Sequence, residues 1–119
     1  MPKYVDGYVL PVPKKNLQAY RRMSQQAGKI WKEYGALEYR ESASEDLKNE
    51  WGVPFPKLMK LKPGELVVFS WVVFKSRKHR DQVNKKVMGD PRLASMGSKK
   101  MPFDVKRMLY GGFSLLVDL

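Results

Sequence analysis

At 119 residues the chain fits one domain with one core, and a chain of this length needs neither a disulfide nor a metal to hold it. It has no cysteine, which excludes disulfide frameworks, zinc ribbons, iron–sulfur clusters and thiol nucleophiles together, and its one histidine, His79, cannot form a multi-histidine metal site within one chain. Lys and Arg total 23 against 12 Asp and Glu, a formal net charge of +11. That excess attracts phosphate polyanions or small anionic ligands, or it simply makes a lysine-rich solvated surface.

No apolar run approaches the ~20 residues of a membrane helix. The opening Met1-Pro2-Lys3-Tyr4-Val5-Asp6 lacks the order of a signal peptide. These readings predict a cytoplasmic protein with no membrane partner.

Residues 4–12 are rich in aromatic and β-branched side chains and predict a first strand, ended by Pro11 and Pro13. Gly7 within it predicts a bulge or a close backbone approach. Over 15–34 a stripe of Leu17, Tyr20, Ala27, Ile30, Trp31 and Tyr34 recurs at helical spacing, with Met23 beside it and Gly35 placed to stop the helix. The alternation over 36–42 predicts a second strand. The pattern then dissolves over 43–64, where prolines and glycines mark a loop long enough to act as a lid, a binding loop or an arm. Trp51 and Phe55 within it call for something to cover them.

Residues 65–74, Glu-Leu-Val-Val-Phe-Ser-Trp-Val-Val-Phe, form the strongest predicted strand. Leu66, Val68, Val72 and Phe74 share one side with Ser70 as its only polar member, and Val67, Phe69, Trp71 and Val73 share the other. A strand apolar on both faces must be covered on both. Ser76 can cap a second helix reaching about Met88, Asp90-Pro91 restarts a short turn or helix, and 106–118 predicts a last strand with a bulge or bend at Gly111-Gly112.

This order is β-α-β-β-α-β, the ferredoxin-like α+β arrangement: one domain spanning 1–119, an antiparallel four-stranded sheet and both helices on one face. The other face is bare. A second copy can cover it with one patch through a two-fold axis, giving a dimeric α/β barrel; RNA or another protein is the alternative cover.

Further residues carry a family resemblance: Tyr4-Val5-Asp6-Gly7-Tyr8-Val9-Leu10-Pro11-Val12-Pro13 at the start, then Phe69-Ser70-Trp71 through Lys75-Ser76-Arg77. His79-Arg80-Asp81, Asn84 and Asp90-Pro91-Arg92 continue it, and Met101-Pro102-Phe103-Asp104, Arg107-Met108 and Tyr110-Gly111-Gly112-Phe113 complete it. Over nearly its whole length the chain resembles the YbaA-like bacterial proteins, a family of unknown function within the dimeric α/β-barrel superfamily. That superfamily includes cofactor-independent quinone-forming monooxygenases, haem enzymes and ligand-sensing domains. The resemblance therefore implies an architecture and names no substrate.

His79, early in the second helix, is the candidate catalytic residue, as a general base or a haem ligand, set against the plain reading of a helix-start histidine. Tyr8, Tyr39, Trp71 and Tyr110 are candidate ligand-binding residues of a cleft between sheet and helices, with Arg40 as an anion anchor. Against these stand core or dimer filling by Trp71 and cross-strand pairing of Tyr39, Arg40 and Glu41. Asp6 and Asp104 are expected to form ion pairs with Arg107 or Arg40. Trp71, His79 and Asn16 or Asn84 do not reproduce the residue set of the haem-degrading relatives, so neither cofactor nor metal is expected.

Eleven Lys or Arg against three Asp between positions 75 and 107 offer a phosphate track, but the third strand lacks the glycine and basic residue of the RNA-recognition signature. The expected function is a small-ligand-binding homodimer paired through its sheet face, its ligand anionic or aromatic, with cofactor-independent oxygenase-like chemistry as its enzymatic form. The alternative is a basic nucleic-acid-binding or protein-interaction module without catalysis.

Overall fold

The computed structural model describes all 119 residues. Its strands are β1 (Tyr4–Pro13), β2 (Glu38–Ala43), β3 (Glu65–Phe74) and β4 (Leu109–Ser114); its helices are α1 (Leu17–Glu33), α2 (Phe55–Leu58), α3 (Arg77–Met88) and α4 (Pro91–Gly97). The strands form one antiparallel sheet in the order β2-β3-β1-β4, the ferredoxin-like topology.

Local chemistry sets the ends of these elements. Gly35 closes α1 at φ +114°, a left-handed backbone that favours glycine. Ser76 caps α3 by accepting the His79 N–H at 3.1 Å, and Asp90 caps α4 by accepting that of Arg92 at 2.8 Å. The loop over 43–64 contains α2 and is pinned at its root by Arg107, which bonds both Glu65 oxygens at 2.6 and 2.9 Å and donates to the Lys60 carbonyl at 3.1 Å.

Residues opposite one another in an antiparallel ladder share a face. The register therefore sorts the sheet into transverse rows. One row on the helix-covered face runs Glu41–Ser70–Tyr8–Tyr110, and the adjoining row on the open face runs Arg40–Trp71–Gly7–Gly111. The helix-covered face carries two apolar clusters, one holding Tyr4, Ile30, Val72, Phe74, Val83 and Val87, the other Leu10, Val12, Tyr20 and Val68. Tyr8 packs against both, so the polar row runs between them.

Four expectations are corrected. The pairing of β1 with β3 does not end at Pro11 but continues to Pro13. The β1 ladders run unbroken through Gly7, Gly111 and Gly112, so there is no bulge. Of the two alternatives expected at Gly7 the close approach holds: the Phe113 ring lies over Gly7 and Gly111, and a Cβ at Gly112 would collide with the Tyr4 ring. The last strand is shorter than 106–118. Asp6 pairs with Arg80 rather than Arg107 or Arg40, Asp104 caps a 3₁₀ turn, and Arg107 is occupied by Glu65.

Candidate ligand cavity

A cavity of about 220 Å³ lies over the polar row. Its floor is Tyr8, Leu10, Tyr39, Glu41, Ser70 and Val72 from the sheet; its walls are Tyr20, Met23, Ser24, Ala27 and Trp31 of α1; and Leu93, Met96, Met101, Phe103 and Met108 close the far side. The lining is thus largely apolar, with a small set of polar groups converging on the floor, the usual composition of a small-molecule site.

Glu41 is the carboxylate of that floor. Its two oxygens each accept a phenolic O–H, from Tyr20 at 2.8 Å and from Tyr39 at 2.7 Å. Burial, reinforced by the neighbouring Glu41 charge, pushes both phenols far above the ordinary range, so they remain protonated donors. Burial pushes Tyr8 up likewise. No side-chain hydrogen bond joins the Tyr8 or Ser70 hydroxyl to another protein group, and no fully buried polar atom lacks a partner, so these two hydroxyls remain open to solvent at the cavity both residues line. The trio of Tyr20, Tyr39 and Glu41 also forms the wall of an open groove of about 840 Å³ between α1 and β2, bordered by Arg21, Lys29 and Lys32.

Of the residues singled out in the sequence, Tyr8 and Tyr39 line this cavity, and Tyr110 stands at the end of the same row. Its ring lies 5.0 Å from that of Tyr8, and its hydroxyl accepts from Arg80 at 2.9 Å. Trp71 and Arg40 share the opposite face, because positions of odd and even parity on a strand point to opposite sides. Arg40 borders the cavity, but its guanidinium is exposed, near Glu38 at 3.8 Å and bonded to the Tyr39 carbonyl at 3.2 Å. His79 lies off the cavity altogether. Its Nδ1 accepts the Lys75 N–H at 3.0 Å, its ring packs edge-on against Phe74, and burial holds its pKa below the ordinary value. The structure therefore does not gather the six residues into one cleft.

Glu41, Ser70, Tyr20 and the methionines belong to the cavity and were not singled out as site residues. Ser70 carried a legible signal, as the lone polar member of an otherwise apolar strand face. Beside the cavity, the fully buried Asp6 accepts from Arg80 at 2.9 Å and from Asn84 at 3.3 Å, and Asn84 accepts the Trp31 indole N–H at 3.0 Å. Burial raises the Asp6 pKa against the opposing pull of Arg80. This chain of bonds fixes Trp31, and with it one cavity wall, to α3 and β1. Among its acidic and histidine side chains no cluster is arranged to hold a metal ion, and no helix is long and apolar enough to cross a membrane.

The topology and the sheet with one covered face define a ferredoxin-like α+β protein. A dimeric ferredoxin-like protein from an uncultured marine organism superposes over the full length of both chains with a TM-score of 0.59 at 8% identity, a likeness of fold alone. The chain belongs to the DUF1428 family, a protein family of unknown function whose model matches residues 3–105. It is similar to the uncharacterized protein YbaA of Escherichia coli, with 43% identity over 116 residues and 98% of both chains covered, and equally to YbaA of Shigella flexneri.

Proposed function

We propose that this protein is a homodimeric small-ligand-binding protein whose ligand seat is the cavity between sheet and helices. The observation that carries the reading is an apolar cavity whose floor holds one polar row, with Glu41 beside the Ser70 and Tyr8 hydroxyls, which are free of protein hydrogen bonds and open to solvent. Water satisfies such accessible hydroxyls in the free protein, and a ligand's polar group can take its place. At about 220 Å³ the space suits a molecule of one substituted ring. If the protein acts on that molecule, as a cofactor-independent oxygenase-like enzyme would, the base at the cavity is Glu41 and not His79.

The homodimer rests on the open face. Phe69 and Phe113 stand 47% and 60% exposed there beside Trp71, and a second copy covers such a patch with the same patch. Four of the seven methionines, Met23, Met96, Met101 and Met108, line the cavity, while Met1, Met59 and Met88 do not. The test is a methyl-labelled methionine NMR titration with neutral single-ring compounds. The cavity methyls are expected to shift and the other three to stay. Silence of all seven across the panel overturns the reading.

A basic nucleic-acid-binding module is the rival, favoured by the +11 charge and by aromatic side chains on an open sheet face. Binding to a generic oligonucleotide that persists at roughly 200 mM salt would support it, since mere charge attraction fades by then.

A further inference from the structure

We infer that the cavity selects a neutral hydrogen-bond donor, a hydroxyl on a small apolar body, and rejects anions; this rests on the ligand-binding reading above. The excess of lysine and arginine over the whole chain points toward anionic ligands, but the cavity itself has the opposite character. Its one carboxylate is Glu41, and Arg40, the one basic residue at its border, has its guanidinium on the other face. An anion placed here would lose its hydration, meet a carboxylate and find no cation, which costs several kcal/mol.

Glu41 is held in its acceptor role by geometry. Both oxygens receive phenolic O–H groups, and an ionised carboxylate offers about four acceptor sites, so two remain for a ligand. A ligand group that only accepts cannot use them. A hydroxyl can, donating to Glu41 while accepting from Ser70 or Tyr8, whose hydroxyls have no protein partner. Ser70 lies directly opposite Glu41 in the β2–β3 register and Tyr8 directly opposite Ser70, so Ser70 stands next to Glu41 and Tyr8 one strand further along the same row. An ammonium would also donate, but the two phenols already hydrogen-bond the Glu41 charge, and the remaining walls are thioether, aryl and aliphatic. Its charge would be poorly solvated, so the neutral hydroxyl is favoured.

The experiment is calorimetric titration of the full-length protein with four probes of nearly equal size: p-cresol, p-methylanisole, p-toluate and p-methylbenzylamine. We expect p-cresol to bind about ten- to a hundredfold tighter than p-methylanisole, the range for a hydrogen bond to a charged group, and p-toluate not to bind measurably. Glu41→Gln should narrow the cresol preference and admit p-toluate. The wild-type series stands by itself should that variant fold poorly. Binding of p-toluate or of p-methylbenzylamine as tight as that of p-cresol overturns the donor inference while leaving a ligand site in place. Failure of all four probes to bind removes the site, and the inference with it.

Discussion

The imidazole of His79 accepts the Lys75 N–H through Nδ1, while its own backbone N–H is held by Ser76. Both bonds belong to the start of α3, and the first requires an unprotonated Nδ1. Burial lowers the folded-state pKa from the ordinary 6.5, so the folded protein binds the proton less readily than the unfolded chain. The stability this contributes is present above pH 6.5 and is lost as pH falls from there through the lowered value. His79→Ala should cost about 1 kcal/mol at pH 7.5 and flatten the pH dependence of the denaturation midpoint below 6.5; an unchanged slope would refute this account of the residue. The helix-start position of His79 and the Ser76 cap were legible in the sequence, but the bond of its Nδ1 to the Lys75 N–H was not, because it depends on how the chain enters the helix.

The same limit applies to Trp71 and Arg40. Their strands were readable, but which parity faces the helices depends on the pairing register. Glu41 was seen only as a charge beside Tyr39. Its role needed Tyr20, which arrives from α1 through a tertiary contact.

Strands and helices came through well, because period two over 65–74 and the helical stripe over 15–34 are long and consistent. The short helix α2 and the anchoring of the loop by Arg107 were hidden, since neither has a periodic signature. How elements pack also escapes one-dimensional reading. Gly28, in the middle of α1, leaves a notch that the Tyr39 ring fills: a Cβ there would stand 2.6 Å from the ring. Gly28→Ala must displace that ring and break its 2.7 Å bond to Glu41. We expect about 1–3 kcal/mol of destabilisation together with weakened p-cresol binding, measured by denaturation and calorimetry. A variant as stable and as avid as the wild type would contradict the notch.

The bond from Arg80 to Asp6 ties α3 to the sheet. Arg80→Met strands a fully buried carboxylate and should cost about 3–5 kcal/mol by chemical denaturation. Adding Asp6→Asn should restore part of that loss, because the uncompensated charge is then gone.

Taken whole, the chain is a slab, 38 × 37 × 20 Å. Its radius of gyration of 15.1 Å exceeds the roughly 13.5 Å usual for a chain of this length. Its accessible surface of 8593 Å² is roughly 2,000 Å² above the value typical of a monomer of 13.8 kDa. The excess is larger than the ~800 Å² per partner of a standard interface. The flat shape follows from one sheet with helices on one side, and it accounts for the exposed Phe69, Leu109 and Phe113 on the other.

A second copy laid across that face would bury Trp71 and the Arg40 guanidinium at the interface, which gives both side chains a role on the face away from the helices. Trp71→Glu should then separate the subunits while leaving the cavity and its p-cresol affinity intact. Sedimentation equilibrium on the wild-type protein tests the pairing most directly. The account predicts a particle of twice 13.8 kDa at micromolar concentration, reduced to a single chain by Trp71→Glu; a wild-type protein that sediments as a folded single chain at that concentration would contradict it.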